Sequence, residues 1–463
     1  MATCVLEVAL FLAALRTTAT ISALLLAMPT ALPQAPLAPR AASTDSVPVF
    51  TLQDAIARAE VNDPNYAASV ANGGVAKLDH SISRSALFPV VTYQNQYLYT
   101  QPNGLKNQAG QGFAAQDAPR FIANNAIREY ESQALITETI SAANFAGLRR
   151  SGAAASKAIA DAEIARRNLV VAVASAYYTL VAEEGSVRVA QRAEMEAESF
   201  VDLTRKLEAG REVAHADVVK SGLALQQRQR DLAEAQLAAQ KARLELGMLI
   251  LPDPRTPYRL ADSSLVLPAL PSRADSEVAA AKNNPQLKSA LESLHMSRYD
   301  VTAARAAYLP TLSLNYTYGI DAPQFAVNGP AGVRNLGYSA YASLNIPVWD
   351  WFATHDRIKQ SELQRQVAQV QLTFTQKKLL ADLDEYYSEA KTANDELASL
   401  NLSVKTAEES LRLTKLRYGA GEATALEVVD AENAATQAET ASADGAVRYQ
   451  VALANLQTLT GKL

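Results

Sequence analysis

The stretch "NDPNYAASV" (residues 62–70) returns in the second half of the chain as "NNPQLKSAL" (residues 283–291). Aligned without a gap, the two passages and their continuations match at Asn62, Pro64, Asp79, Arg84, Ala86 and Pro89 on one side, and at Asn283, Pro285, Asp300, Arg305, Ala307 and Pro310 on the other. Each passage predicts a helix that ends before a proline, because the residue preceding proline is disfavoured in a helix. The duplication indicates one structural unit written twice.

The composition excludes several classes of protein. The chain has 463 residues, a net charge of −5 and no run of Lys or Arg, so a nucleic-acid-binding surface is not expected. Its single cysteine, Cys4, cannot form an internal disulfide, and the four histidines are scattered. Nucleophile motifs, phosphate-binding loops and metal-ligand spacings are missing from the sequence. The sequence therefore predicts no enzyme, no cofactor and no metal site.

The N-terminal segment, residues 1–47, is predicted to be a signal for export followed by a linker. Arg16 precedes a short apolar run at residues 19–28, which small residues and prolines follow. This order is typical of a secretory signal. The alternative is a single N-terminal anchor helix, but Arg16 and Pro29 interrupt any run long enough to span a bilayer.

Two long proline-free blocks predict long helices. All nineteen prolines lie within residues 29–119 or 252–347, which leaves residues 120–251 and 348–463 without any. Both blocks are rich in strong helix formers, and their apolar residues recur at spacings of three and four. A helix from about residue 145 to 208 is expected to form part of a coiled-coil rod. Gly210 and Gly421 predict a reversal within each block, so that each folds into a helical hairpin.

Alternating segments before each helical block predict strands. Apolar and polar residues alternate through "TLSLNYTYGI" (residues 311–320), and "AYASLNIPV" (residues 340–348) repeats the pattern. The first half has a weaker version around Tyr93 and Tyr97, with its return strand expected near residues 133–140. Short strands with one apolar and one polar face suit a transmembrane barrel or a soluble antiparallel sheet. The strands alone leave both open.

The predicted unit is a helix, two strands, a long helix, a tight turn and a further helix. We assign residues 48–251 to the first repeat, 252–272 to a non-helical linker and 273–463 to the second repeat. The predicted fold is mainly α with a membrane β-barrel. One chain would supply four strands, which cannot close a barrel, and open sheet edges are not tolerated in lipid. Three chains would supply twelve strands above a ring of helical hairpins.

Several ordered passages carry a resemblance to a known family. They are "TLQDAIARAEVNDP" (residues 51–64), the doubled helix–proline–strand passages, "LNIPVWDW" (344–351), "LRYGAGEATALEVVDAE" (416–432) and "ALANLQTLTG" (452–461). In this order they resemble the TolC-like outer-membrane efflux proteins. The resemblance implies a homotrimer with a twelve-stranded barrel in the outer membrane above an α-helical tunnel through the periplasm, with residues 252–272 in an equatorial belt. It also implies a periplasmic adaptor (membrane fusion) protein and an inner-membrane pump as partners, in tripartite efflux or type I secretion.

The same resemblance assigns roles to the two predicted turns, which would form a periplasmic tip with a gate and an adaptor-docking surface. The docking residues it implies are Gly210, Arg211, Gly421 and Glu422, and the gate or pore residues are Asp217, Tyr418, Glu427 and Asp430. Repeated by threefold symmetry, the acidic side chains would form rings that favour cations. The alternative is that Glu427 and Asp430 are ordinary exposed acids near a helix start, where negative charge is favourable.

One turn position departs from the family pattern. Where the best-known members carry an arginine two residues after the turn glycine, this chain has Ala423. We expect Arg211 to replace that arginine by pairing with Glu422 or Glu427. The first turn is also expected to be one residue longer than the second.

A rival to the channel is a periplasmic coiled-coil scaffold that forms no pore. It accounts for the proline-free blocks but not for the duplicated tyrosine-rich strands. Within the channel class, the sequence does not distinguish a drug, metal, metabolite or protein as cargo, because the pump selects it.

Overall fold

The structure, a computed structural model, describes residues 47–99, 128–261, 268–329, 332 and 334–461. Apart from residue 47, the predicted export segment lies outside the described residues. So do the connection between the first two long strands (residues 100–127) and part of the predicted linker (residues 262–267). From Pro48 onward the chain forms one compact unit.

The two halves of this unit contain the same series of elements. The first half comprises β1 (Val49–Phe50), α1 (Leu52–Asn62), α2 (Pro64–Ser85), β2 (Val90–Tyr99), β3 (Arg128–Ile140), α3 (Ala142–Ala209) and α4 (His215–Ile250). The second half comprises β4 (Arg259–Leu260), α5 (Arg273–Asn283), α6 (Pro285–Ala306), β5 (Thr311–Ala322), β6 (Leu336–Asn345), α7 (Ala353–Gly419) and α8 (Ala425–Thr460). The described parts of the linker, residues 252–261 and 268–272, contain no helix.

The leading helix of each half, predicted as one helix, is two helices. The break falls at Asp63 and at Asn284, which share the same backbone angles, φ −73° and ψ 119°. Each of these side chains accepts a backbone N–H of the next helix, at 2.6 Å and 2.8 Å. Pro64 and Pro285 then occupy the first helical position, where a missing N–H costs nothing.

The long helices of the two hairpins are almost equal in length. α3 has 68 residues and α7 has 67, so each is about 100 Å long at a rise of 1.5 Å per residue. The buried side chains of α3 are mostly small or aliphatic, which lets neighbouring helices approach closely. No helix within the described ranges combines the length and the apolar character that crossing a membrane requires.

The four long strands form one antiparallel sheet in the order β2-β3-β5-β6. Its register pairs Tyr93 with Ala134, Ala134 with Tyr318, and Tyr318 with Tyr338, so these side chains share one face. β2 and β5 begin directly after Pro89 and Pro310, as predicted. β3 begins earlier than expected, and β6 ends at Asn345, before the last residues of the segment predicted as strand.

The apolar face of this sheet is the more exposed one. In β5, Leu314, Tyr316 and Tyr318 expose 39%, 39% and 47% of their surface, whereas the alternating Ser313 and Asn315 are half-buried. A soluble sheet would bury its apolar face against a second layer. Among the described residues, no such layer covers these tyrosines.

The helices beside the sheet follow the same lateral order as the strands. α2 packs on α3, α3 on α6, and α6 on α7. α2 leads into β2, and β6 leads into α7. The same two flanks are therefore the edges of both layers: β2 with α2 on one side, and β6 with α7 on the other.

A core at mid-length holds α1 against the first hairpin. Phe50 of β1 and Tyr258, directly before β4, pack with Val173, Leu246 and other buried residues of α3 and α4. The Tyr258 hydroxyl donates to the Arg243 carbonyl at 2.6 Å. The linker is thereby fixed to the first hairpin.

Candidate functional site

The candidate site consists of the two turns that reverse the long hairpins. The first turn occupies residues 210–214 and the second residues 420–424. Both therefore have the same length, and the expected extra residue in the first turn is wrong. Position by position, Gly210 corresponds to Ala420, Arg211 to Gly421, and Asp217 to Glu427.

Both long helices end in the same hydrogen-bonded motif. Arg211 N–H donates to the Glu208 carbonyl at 2.9 Å, and Gly421 N–H donates to the Tyr418 carbonyl at 3.0 Å. The following amides, those of Glu212 and Glu422, donate to carbonyls five residues earlier, at 2.9 Å in both turns. This Schellman pattern places the residue after the cap in the left-handed region, which glycine adopts most readily.

The residue in that left-handed position differs between the turns. In the second turn it is Gly421, with φ 78°, as the sequence indicated. In the first turn it is Arg211, with φ 59°, while Gly210 keeps an ordinary right-handed φ of −77°. The structural counterpart of Gly421 is therefore Arg211, one residue after the predicted Gly210.

The helices that leave the turns also begin differently. α8 has a capping box, in which Glu427 N–H donates to Thr424 Oγ1 at 3.3 Å and Thr424 N–H donates to Glu427 Oε1 at 3.1 Å. α4 starts after Ala214, which has no capping side chain, although Asp217 stands where α8 has Glu427. The pattern of Thr followed three residues later by Glu could have been read from the sequence.

Arg417 closes the second turn. Its guanidinium lies 3.5 Å from the Glu427 carboxylate and donates to the Glu422 carbonyl at 3.0 Å. The ion pairs predicted for Arg211 do not occur among the described residues of this single chain. Within the chain, the last turn of α7 supplies the arginine that holds Glu427.

Tyr418 lies inside the hairpin tips rather than on their surface. It is 3% exposed and packs edge-on against Phe200 of α3, with 5.1 Å between ring centres. Ala425 and Val428 complete this tip core, and the half-buried Ala423 packs against it. Position 423 therefore contributes an apolar contact in this chain.

The Tyr418 hydroxyl is buried and has no hydrogen-bond partner among the described groups. Burial raises the pKa of Tyr418, and the nearby Asp217 carboxylate raises it further. Asp217 is half-buried and has Lys220 at 3.9 Å. Tyr418 and Asp217, one from each hairpin, are thus close enough to interact electrostatically.

The remaining predicted residues lie at the surface of the turns. Gly210, Arg211, Gly421 and Glu422 are exposed, as are Glu427 and Asp430 on α8. Asp430 has no ion pair with the described part of the chain, whereas Glu427 has Arg417. An exposed apex of this kind is accessible to a partner.

A charged cluster next to the tip core was not found from the sequence. Lys415 of α7 lies 3.0 Å from Glu196 of α3 and 3.1 Å from Glu432 of α8, linking the two hairpins. Glu432 is 5% exposed, and its Oε1 lies beside the Lys415 ammonium group. Burial raises the pKa of Glu432, and the charge of Lys415 opposes that shift.

A further acidic group lies on the polar face of the sheet. Carboxylate oxygens of Glu129, Glu131 and Asp321 lie within 4.8 Å of one another. The sequence predicted no metal site, and clustered exposed carboxylates are common without one. Their place on adjacent strands makes this face acidic.

Comparison with known proteins places the chain among outer-membrane proteins. The family model described as "Outer membrane efflux protein" matches residues 278–462. Outer membrane protein OprJ of Pseudomonas aeruginosa is 25% identical over 175 residues, which are 38% of this chain and 36% of OprJ. The proteases secretion protein PrtF of Dickeya chrysanthemi is 24% identical over 243 residues, 50% of this chain and 52% of PrtF. The aligned parts thus span about a third to a half of these relatives.

The fold is shared with solved channels over most of its length. The open state of the Neisseria gonorrhoeae MtrE outer membrane channel superposes with a TM-score of 0.73 at 19% identity, covering 89% of this chain and 88% of MtrE. At that level of identity the likeness concerns the fold.

Proposed function

Because the chain belongs to the TolC-like family of outer-membrane efflux proteins, we propose that three copies form a passive exit duct of a tripartite efflux or type I secretion system. The protein resides in the outer membrane and extends into the periplasm. It would conduct cargo without chemistry. The observation that carries the proposal is that its sheet and its helical layer are both open at the same two flanks.

Matching flanks suit closure into a ring. When the surface at one flank of a copy meets the different surface at the other flank of the next copy, the contact is head-to-tail. Such contacts close into a ring when the rotation between copies permits. Strand β6 of one copy would pair with β2 of the next, and α7 would pack on α2. Three copies would turn four strands into twelve, a size at which a barrel leaves an open lumen.

The two helical flanks carry exposed apolar stripes that such a contact would bury. The stripe on α2 consists of Val75, Leu78 and Ile82, and the stripe on α7 consists of Leu363, Val367, Val370 and Phe374. Their spacings of three and four place each set along one side of its helix. Left in water, they would be an unusually large unpartnered apolar surface.

The exposed tyrosine-rich face of the sheet suits lipid. Most of its side chains are apolar or amphipathic, and the opposite face carries Gln, Asn, Thr and the acidic group of Glu129, Glu131 and Asp321. In a closed barrel the first face would meet hydrocarbon and the second would line water. A periplasmic scaffold would not require a sheet with one exposed apolar face and one polar face.

The turns would form the periplasmic gate. Glu427 and Asp430 of three copies would give two rings of carboxylates around the narrowing lumen and favour cations. Tyr418, in the tip core, and the nearby Asp217 would couple the two hairpins. Opening would require the hairpins to separate, which would expose Tyr418 and loosen the contacts of Lys415 with Glu196 and Glu432.

The apex of the turns would be the docking surface for a periplasmic adaptor, with Gly210, Arg211, Gly421 and Glu422 in contact. An inner-membrane pump would supply the energy, since the sequence has no phosphate-binding loop. PrtF is named for the secretion of proteases, so protein cargo is as compatible with this fold as small molecules.

Single-channel conductance in a planar bilayer tests the proposal. We expect stable steps with a preference for cations that falls in the variant Glu427→Gln/Asp430→Asn. Gln preserves the capping box with Thr424, so that the variant removes charge and keeps the turn. The matched control is Glu212→Gln, which removes an exposed carboxylate of the first turn and should leave selectivity unchanged. Folded protein that gives no steps would favour the scaffold instead.

A further inference from the structure

A cavity of about 840 Å³ lies between the first hairpin and the linker. Its charged lining residues are Glu184 and Arg188 of α3, Arg243 of α4 and Arg255 of the linker. They give the wall a net charge of +2, whereas the whole chain carries −5. We call this space the arginine cavity. Positive charge concentrated in a concave part of an acidic chain indicates an anionic ligand.

Two of the three arginines have their charge free for a ligand. Arg243 of α4 already pairs with Glu184 of α3 at 2.6 Å. Arg188 and Arg255 are exposed, and neither forms an ion pair with a described group. A guanidinium binds a carboxylate through two parallel hydrogen bonds. Each of these two arginines can therefore bind one carboxylate without breaking an existing ion pair.

The linker side of the cavity is fixed in place. Asp253 holds the turn that carries Arg255, because its Oδ1 accepts Arg255 N–H at 3.0 Å and its carbonyl accepts Thr256 N–H at 3.1 Å. Gly247 of α4 lets this turn approach closely, since a Cβ there would lie 2.8 Å from the Pro254 carbonyl oxygen. A wall that is already ordered loses little conformational entropy when a ligand binds.

The corresponding place in the second hairpin is filled by apolar side chains. By the correspondence of the two turns, Arg243 of α4 matches Leu453 of α8, and both helices have 36 residues. Ala239 matches Tyr449 in the same way. Leu453 and Tyr449 are 2% and 0% exposed, and Leu270 of the linker packs against their cluster. The fold therefore does not require an open, charged space here, which supports a binding role for the arginine cavity.

The uncharged lining of the cavity suits a peptide chain. Gln236 and Gln240 of α4 carry amides that can donate hydrogen bonds to peptide groups and accept hydrogen bonds from them. Val187, Leu244 and Pro257 also line the cavity and provide apolar contacts. The volume is typical of sites for ligands larger than a single small anion such as phosphate.

The cavity is remote from both the sheet and the turns. Arg188 lies about 70 Å along α3 from the strands and about 30 Å from the first turn, at a rise of 1.5 Å per residue. Membrane lipid at the sheet is therefore not the ligand. The site is also separate from the docking surface proposed at the turns.

We propose that the arginine cavity binds an extended acidic segment of a partner protein in the periplasm, whose carboxylates pair with Arg188 and Arg255. The inference rests on the proposed function, which places the first hairpin in the periplasm, and adds a second partner site to the one at the turns. The backbone of the segment hydrogen-bonds to the glutamine amides of α4. The second hairpin, whose corresponding space is filled, does not bind it.

Fluorescence anisotropy of a labelled peptide tests this inference. The probe is a hexapeptide of alternating Glu and Ala, added at low salt to the detergent-solubilised full-length chain. We expect saturable binding that weakens about tenfold in Arg188→Gln/Arg255→Gln. The control Arg205→Gln/Arg230→Gln removes two exposed arginines of the same hairpin outside the cavity and should retain the affinity. No binding by the wild type, or equal affinity in the cavity variant, overturns the inference.

Charge reversal and competition define the class of ligand. Arg188→Glu/Arg255→Glu should bind a Lys–Ala peptide instead, with helix content unchanged because neither arginine has an ion pair to lose among the described groups. Failure of this variant to prefer the basic peptide would contradict the two arginines as the carboxylate-binding groups. Inorganic phosphate at equal charge should leave the probe bound, and full displacement would overturn a peptide ligand. Disaccharide peptides from digested cell wall that bind more tightly than the probe would contradict a protein partner.

Conductance separates failure of this inference from failure of the proposed function. Wild type that conducts but does not bind the probe contradicts the arginine cavity as a site and leaves the channel intact. Protein that binds the probe but does not conduct contradicts the channel and supports the ligand chemistry of the cavity. Protein that does neither contradicts both.

Discussion

The two hairpin turns have the same backbone and different sequences. Both end the long helix in a Schellman motif of equal length, yet the second has Gly421 in the left-handed position and a Thr424–Glu427 capping box. The first has Arg211 in the left-handed position and Ala214 at the cap. The second turn therefore has a glycine in the left-handed position and a capping side chain, whereas the first has neither. Of the two, the first should open more readily.

The largest expected effect concerns the tip core under the second turn. Tyr418→Ala removes the contact with Phe200 and should lower the free energy of opening by about 3 kcal/mol. The corresponding residue of the first turn is Glu208, which has no such core contact. Amide hydrogen exchange of residues 421–430 measures the loss.

Tyr418→Phe is the control, because it keeps the ring and removes a buried hydroxyl that has no partner. Stability should be unchanged or up to about 1 kcal/mol higher. A large loss in this variant would show that the hydroxyl has a partner and that the tip core is described wrongly.

Exchanging the residues at the helix caps should reduce the difference in stability between the two turns. Thr424→Ala should cost about 1 kcal/mol in the second hairpin, and Ala214→Thr should gain about as much in the first. The gain is expected because Asp217 stands three residues after Ala214, and this chain already has a capping box of that type at Thr51 and Asp54. Thermal unfolding followed by circular dichroism, with Thr424→Ser as the conservative control, checks both. Shifts of the same sign in the two variants would contradict the comparison.

Exchanging the left-handed residues should change stability by a similar amount in the second turn and by less in the first. Arg211→Gly should stabilise the first turn by roughly 0.5 kcal/mol, since relief of left-handed strain is partly offset by the freedom of glycine in the unfolded chain. Gly421→Ala should destabilise the second by about 1 kcal/mol. A Cβ at Gly421 meets no atom within 4 Å, so only backbone strain contributes. The rate of hydrogen exchange should fall at the first turn in Arg211→Gly and rise at the second turn in Gly421→Ala. Changes of the same sign would refute the assignment of these two residues to the left-handed position.

The smallest effect is the pH dependence from Glu432. Its pKa in the folded chain lies above the ordinary 4.5, so the folded state binds this proton more tightly than the unfolded state. The resulting stability is full below 4.5 and is lost as the pH rises through the raised pKa. As the pH is lowered from neutral toward 4.5, the free energy of unfolding of the wild type should therefore rise relative to that of Glu432→Gln. Denaturant midpoints measured side by side test this, and parallel curves would contradict it.

Much of the fold is determined by local sequence. The breaks at Pro64 and Pro285, the strands after Pro89 and Pro310, and the reversal at Gly421 follow from what proline and glycine permit. The division of each leading helix was missed, although the caps Asp63 and Asn284 stand directly before the prolines. The sequence also placed the first reversal correctly to within one residue.

The candidate site was less predictable because its contacts join distant parts of the chain. Gly210 was predicted as the turn residue where Arg211 has the left-handed conformation, because local sequence does not indicate that an arginine will adopt a positive φ. The burial of Tyr418 depends on Phe200 of the other hairpin, and Lys415 reads as a surface lysine until Glu196 and Glu432 are placed around it. Local sequence specifies only the turn at Gly421 and the capping box of Thr424 and Glu427.

Native mass spectrometry of the detergent-solubilised protein tests the central claim, that the β2–α2 flank of one copy meets the β6–α7 flank of the next in a closed ring of three. The comparison is with Val367→Asp/Phe374→Asp, which places charge in the α7 stripe, and with Val327→Asp, an equally apolar exposed site in the loop between β5 and β6. We predict three copies for wild type and for the loop variant, and single chains for the stripe variant. Single chains in the wild type, or three copies in the stripe variant, would contradict the account.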